Sequence, residues 1–208
     1  MKNIVEAMNW RYATKKFDVT KKLSKEQLAD LLDATRLSPS SFGLPTWKIV
    51  VVENPETRMA LQSAAYGQTQ VVDASNVLVF AIEKNIDEAL VDQYIVNVSE
   101  TRGVPAEQLA GYANMMKGSI AGKNQEARKE WAKKQAYIGL GVLLAAAACE
   151  EIDTCPMEGF DSIKFDEILE LNEKGLESCV MVTLGFRAED DVVVKKVRPM
   201  MEAFIVRN

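Results

Sequence analysis

The chain has 208 residues, 48% of them apolar and 26% charged, which is enough for one domain with a sizeable core and is unlike a disordered chain or a membrane protein. It contains no histidine, which excludes a Ser-His-Asp triad, a Cys-His dyad and a histidine-liganded zinc site, and leaves carboxylates, lysine, a thiol or a bound cofactor to carry any chemistry. A net charge of −5 argues against a nucleic-acid binder. Three cysteines (Cys149, Cys155 and Cys179) without a CxxC pair argue against a disulfide framework and a thiolate metal site, and fit a reducing, cytoplasmic setting.

The opening MKNIVEAMNW lacks the long apolar stretch of a signal peptide. Asn3 is placed to cap a short helix over 4–10. Ser24 and Gln27 form a capping box, and the helix behind it carries Leu28, Leu31 and Leu32 on one face to about residue 36. SPSSFGLP at 38–45 is a turn-rich loop, and WKIVVVE at 47–53 reads as a strand. Asn54-Pro55 starts another helix, with proline at the first helical position. NVLVFAI at 76–82 is a second strand. Segments 86–100 and 106–117 read as helices. The strongest helical pattern covers 125–151; it is amphipathic first and then apolar nearly all round, which predicts a central core helix. Its apolar run, 137–149, is shorter than the roughly 20 residues that cross a bilayer. A short strand over 152–156, a helix over 161–171 and a buried strand over 178–186 follow. Residues 192–197 are extended or irregular, and 199–208 form a C-terminal tail. The mixture is too irregular for a doubly wound sheet. It predicts a single α+β domain, a sandwich of a long central helix on a mixed, mainly antiparallel sheet.

Four clusters carry candidate chemistry, each with a plainer reading beside it. Arg11 and Lys15 point the same way on a helical turn, and a phosphate would reconcile the two cations. Beside Lys16 they also make an ordinary solvated basic face. Lys196 and Arg198 share a side in an extended chain and could complete an anion cage, or remain surface charge. Ser40 and Ser41 offer hydroxyls and accessible N–H groups in a stretch that is also normal turn composition. In CPMEGFD at 155–161, Gly159 permits an unusual backbone angle that could aim N–H groups at a ligand; a simple strand-to-helix connection reads equally well. Gly139-Leu140-Gly141 begins like a dinucleotide fingerprint but lies inside an apolar helix, where small-residue packing accounts for it. The acid pairs Glu150-Glu151 and Asp190-Asp191 are adjacent in sequence, and no metal-site spacing is present.

Taken in order, RYATKKF (11–17), LSPSSFGLPTW (37–47), YGQTQVVDAS (66–75), WAKKQAY (131–137), PMEGFD (156–161), LGFRAEDD (184–191) and KKVR (195–198) resemble the FMN-dependent nitroreductase family over nearly the whole chain. The likeness is greatest to its small homodimeric NAD(P)H nitroreductases and dihydropteridine reductases. The resemblance implies an intertwined homodimer of this α+β fold, one FMN-binding domain over 1–208, with FMN at the subunit interface. It implies that Arg11, Lys15, Lys196 and Arg198 hold the flavin phosphate, with Tyr12 and Ala13 along the cofactor. Ser40 and Ser41 would border the flavin, from the partner subunit in some relatives. Gly67, Gln68 and Gln70 would meet the pyrimidine edge, and Gln135 would lie near the ring. The turn of Pro156, Met157, Glu158 and Gly159 would cover the ring, with the Glu158 backbone N–H at N5.

The same resemblance implies a ping-pong oxidoreductase. NAD(P)H reduces the flavin, and a nitroaromatic, quinone or pterin-like ring is reduced in turn; no catalytic side chain is needed. Residues 86–123 would form a helical cover, with Met115 and Met116 an adaptable lining within it. A low-turnover flavin carrier or sensor is the alternative on the same fold, and a structural homodimer without cofactor is a third reading. Three departures bear on ring contacts: Pro45-Thr46-Trp47 stands where relatives often read Gln-Pro-Trp, Gly67 where asparagine is common, and Phe42-Gly43 where a polar residue is common.

Overall fold

The computed structural model describes residues 3–208. Its first helix, α1 (Ile4–Trp10), opens on a reciprocal cap: the Glu6 N–H donates to Asn3 Oδ1 at 3.0 Å and the Asn3 N–H to Glu6 Oε2 at 3.4 Å. Ser24 and Gln27 open α2 (Lys25–Arg36) in the same manner, at 3.1 and 2.9 Å. Asn54 caps α3 (Pro55–Ala64), whose proline occupies the first turn, where a missing N–H costs nothing. The strands are β1 (Trp47–Val52), β2 (Asn76–Glu83), β3 (Asp153–Met157) and β4 (Leu176–Gly185). The remaining helices are α4 (Gln70–Asp73), α5 (Glu88–Arg102), α6 (Ala110–Ala121), α7 (Gln125–Cys149), α8 (Ser162–Ile168) and α9 (Met201–Phe204), with single 3-10 turns at Ser41–Gly43 and Ala106–Leu109. The helix expected over 106–117 therefore begins as a 3-10 turn. The one expected over 161–171 stops at Ile168, because Glu170 takes a left-handed φ of 53°.

The four strands form one sheet in the order β1-β2-β4-β3, antiparallel throughout. Among the described residues its parallel component is a single bridge, between Ala13 and Thr154 at the edge of β3. Strand alternation splits the core in two. Leu78, Phe80 and Ile82 of β2 face α2, α5, α6 and α7, while Val77, Val79 and Ala81 face Leu61 of α3 and Phe165 of α8. The sheet is thus the middle layer of three. Of the glycine pair in α7, Gly139 has a packing reason: a Cβ there would lie 2.6 Å from the Trp47 ring, so the bare backbone is the seat of an indole that stacks on Phe80 at 5.4 Å, while a Cβ on Gly141 would meet nothing within 4 Å.

Burial around α7 is less complete than the sequence predicts. Ala136, Gly139, Leu140 and Leu143 are buried, but Tyr137 and Ile138 are 39% and 42% exposed. Helix α1 packs on α7, and its Ile4, Val5 and Met8 are also exposed. A helix that is apolar all round needs cover on every side, and a single chain covers this one on part of its circumference. Residues 192–197 carry no regular secondary structure, within the expectation of an extended or irregular stretch, and the tail beyond them contains the short α9. Val192, Val194, Val197, Met200, Phe204 and Val206 along it are between 71% and 90% exposed.

Candidate functional site

The chain leaves α1 at Arg11 with φ −65° and ψ 146°, an extended conformation. The helical turn expected over 11–15 does not form. Instead Ala13 bridges Thr154 and the Thr14 N–H donates to Thr154 O at 3.2 Å, so this segment runs as a short strand beside β3. Extended chain repeats every two residues. Tyr12 and Thr14 turn inward and are buried, leaving Arg11, Ala13 and Lys15 on the outer side. Two residues four apart share a side in a strand as they would on a helix, but spaced along the chain at about 3.3 Å per residue instead of one helical turn apart.

The C-terminal cations come to the same place. Lys196 Nζ donates to Met8 O at 2.6 Å and Asn9 O at 2.7 Å, capping the end of α1, whose last turn has no basic residue of its own. Burial pushes the Lys196 amine down, and Arg11, Arg198 and Arg187 add to the effect. Burial likewise lowers Arg11, with Arg198 the next cause. Burial raises the Cys155 thiol of β3, while Lys15 and Arg11 pull it back down. Arg11 Nε is buried and has no hydrogen-bond partner. Like charges are therefore packed together around an unsatisfied buried donor, and a dianionic phosphate ester is the chemistry that would satisfy both. The residues present fit the phosphate of FMN.

Beneath this cluster lies a support that the sequence reading missed. Asp153, 3% exposed, accepts Thr14 Oγ1 at 3.1 Å and the Arg187 backbone N–H at 2.8 Å, and pairs with the Arg187 guanidinium at 2.6 Å. The guanidinium carbon of Arg187 sits 4.4 Å from the Trp10 ring centroid and 4.6 Å from that of Tyr12. Asp191 accepts the Lys15 N–H at 3.1 Å and the Tyr12 hydroxyl; burial first and that bond second push the phenol up to about 12. The Tyr12 side chain is thus committed inward, and Ala13 is the neighbour that shares the outer face. Asp190 is solvated, as its sequence context implies, and pairs with Lys16 at 2.6 Å.

The two loops expected at the ring are cross-linked. Gln68 Nε2 donates to Gly159 O at 2.8 Å and to Ala65 O at 3.1 Å. Gly159 does not adopt a left-handed angle; it contributes its carbonyl rather than supplying an unusual turn. Left-handed backbone occurs instead at Tyr66 and Gly67, φ 56° and 75°, just before the buried Gln70 at the start of α4. Arg58 secures this segment from below. It is 9% exposed and donates to Val71 O at 2.8 Å, Val72 O at 3.0 Å, Ala74 O at 2.6 Å and Ser75 O at 3.1 Å. Its signal in the sequence is an arginine on the same helix face as Leu61.

Glu158 lies one residue beyond the last pair of the β3–β4 ladder, Met157 with Met181. Its carboxylate accepts the Tyr137 hydroxyl, and burial and that bond raise the phenol. Tyr137, Leu140 and Leu144 of α7 enclose a cavity of about 410 Å³ with Pro156, Met157, Glu158 and Val180. Ser40 and Ser41 belong to a different group. The Ser41 N–H donates to Gln135 Oε1 at 2.8 Å, and Gln135 Nε2 donates to Trp131 O at 2.9 Å, so the Gln135 amide is engaged at both ends inside the protein. Ser40 lines a second cavity of about 600 Å³ with Leu32, Leu44, Trp47 and Ile49. The structure joins this group to α7 and not to the cation cluster. Among the described residues there is no cluster of potential metal ligands, and no helix is long and apolar enough to cross a membrane.

Comparison with known proteins adds four findings. The profile of the nitroreductase family matches residues 8–186. A Staphylococcus haemolyticus protein bearing the provisional name NAD(P)H nitroreductase is 36% identical over 196 residues, covering 90% of this chain and 89% of that one. Among solved structures, a provisionally named nitroreductase of Bacillus subtilis superposes with a TM-score of 0.89 at 22% identity, covering 98% of each chain. One from Exiguobacterium sibiricum, in complex with FMN, superposes with a TM-score of 0.84 at 19% identity, covering 100% of this chain and 98% of that one.

Proposed function

Because the chain belongs to the nitroreductase family, we propose that it is an NAD(P)H-dependent FMN oxidoreductase acting by a ping-pong cycle on nitroaromatic, quinone or pterin-like acceptors. The observation that carries this reading is the buried, unpartnered Arg11 Nε among the mutually repelling Arg11, Lys196 and Arg198. FMN, when bound, supplies the hydride chemistry at N5. The chain's own residues bind and orient. Arg11, Lys15, Lys196 and Arg198 would hold the phosphate, and Asp153 and Asp191 fix the segment that presents the first two. Gln68 and Gly159 keep their two loops in one register, and the Glu158 N–H would be the donor offered to the ring. With no histidine in the chain and no catalytic side chain needed, proton balance falls to solvent.

The working form in this proposal is an intertwined homodimer. The exposed apolar side chains of α1 and α7 support it, as does the exposed apolar chain from Val192 to Val206, which a second copy would cover. Three free cysteines suit the cytoplasm. The test is the absorbance spectrum of the purified protein, then anaerobic titration with NADH and NADPH, then addition of menadione or a nitrofuran. The proposal expects a flavin band, bleached by at least one nucleotide and restored by the acceptor with turnover. A band that bleaches without turnover assigns the protein to carriers or sensors of this fold. A colourless protein that FMN does not reconstitute overturns the proposal.

A further inference from the structure

The turn that carries Ser40 and Ser41 is held in a shape its own residues disfavour. Phe42 has φ 62°, a left-handed angle that a side chain bearing a Cβ rarely adopts without outside support. Gly43 follows with φ 74°. Support comes from two phenols distant in sequence. Tyr94 Oη on α5 and Tyr112 Oη on α6 both donate to the Phe42 carbonyl, at 3.0 and 2.6 Å. A carbonyl oxygen has two lone pairs, and this one meets a donor at each. The packing is close: a Cβ on Gly43 would lie 2.3 Å from Tyr94 Oη. The Phe42 ring meets Trp131 edge-on at 6.3 Å and 66°, and Gln135 takes the Ser41 N–H. Burial and the nearby Tyr112 push the Tyr94 phenol up, so it stays a donor at neutral pH.

We propose that Tyr94 and Tyr112 are positioning residues: by sharing the Phe42 carbonyl they hold the Ser40–Gly43 turn, which stands apart from its own chain's cation cluster, in the conformation that borders the flavin held by the other subunit of the dimer. This rests on the FMN reading above and adds a role for the α5–α6 excursion. That pair of helices sets the shape of a flavin-facing loop on the far side of its own hydroxyl contacts. Without the two donors, Phe42 relaxes toward negative φ, the following peptide rotates, and both serines turn away. The hydrocarbon packing does not depend on the hydroxyls, so phenylalanine at either site keeps the core filled.

The experiment compares the unsubstituted apoprotein with Tyr94→Phe, Tyr112→Phe and the double variant. Each is titrated with FMN by flavin fluorescence, alongside visible circular dichroism of the bound flavin and the shift of the apoprotein thermal midpoint by inorganic phosphate. In the double variant the FMN Kd should rise about tenfold, as expected for two net hydrogen bonds. The dichroism of the bound ring should change, and the phosphate-induced shift should stay, since the cation cluster is untouched. Each single variant should fall between, and the singles carry the same comparison if the double variant does not fold. An unchanged Kd and dichroism in the variants overturns the proposal. So does a parallel loss of the phosphate effect, which would mean general loosening of the fold. Failure of the unsubstituted protein to bind FMN, with phosphate still stabilising it, overturns the cofactor reading itself.

Discussion

Replacing Arg11 and Lys196 together with alanine should weaken FMN binding by at least about a hundredfold, so that the variant purifies colourless. Each cation offers the phosphate a charge-assisted hydrogen bond worth roughly 1.5–3 kcal/mol, and a loss of about 3 kcal/mol already amounts to two orders of magnitude. Removal also relieves repulsion in the free protein, because both groups are held below their ordinary pKa by burial and by neighbouring cations. That relief makes the free state more comfortable and the loss on binding larger. The sign of the pH dependence follows. The depressed Lys196 amine loses its proton at lower pH than an ordinary lysine, and a bound dianion restores it. FMN affinity should therefore fall as pH rises through that range, and the Lys196→Ala variant should lose this part of the pH dependence. Flavin stoichiometry and Kd, measured across pH by fluorescence titration, check both statements. A double variant that keeps its FMN would contradict the cation site.

Arg58→Ala should be the most damaging single change outside that cluster. The guanidinium satisfies four backbone carbonyls around α4 and is buried where water does not replace it readily. Leaving buried acceptors unpaired costs about 1–3 kcal/mol each, reduced where the loop relaxes toward solvent, so a total of about 3–4 kcal/mol is expected. In a chain of this size that lowers the thermal midpoint by roughly 6–15 °C. Arg58→Lys should recover less than half, because an ammonium on a flexible stem does not match a planar fork aimed at four oxygens. Since α4 follows directly on Gly67 and Gln68, FMN affinity should drop along with stability. A midpoint within about 2 °C of the unsubstituted protein would show that these carbonyls find other partners.

The sequence was most legible where the signal is local. The caps at Asn3, Ser24 and Asn54 depend on contacts within three residues, and all three helices start where those contacts place them. Helix α4 has four residues and no side-chain cap; carbonyl contacts from Arg58, more than ten positions away, hold it, so no local pattern announces it. A spacing of four puts Arg11 and Lys15 on one side under a helical period and under a strand period alike, and the strand that forms sets them farther apart than a helical turn would. Gly159 looked like a site of backbone freedom. Its contribution is a carbonyl to Gln68, 91 positions earlier, which no local rule reaches. The Tyr12–Asp191 and Asp153–Arg187 contacts span 179 and 34 positions, and the phenols on Phe42 span 52 and 70. Pairings of that separation follow from the folded topology, which brings the tail and the excursion back onto the sheet.

The central claim is that four cations gathered from the two ends of the chain grip the phosphate of the cofactor. It is tested most directly by measuring, on the apoprotein, the Kd of FMN and that of riboflavin, which has the same ring and no phosphate. FMN should bind at least about a hundredfold more tightly. Equal affinities would contradict the claim.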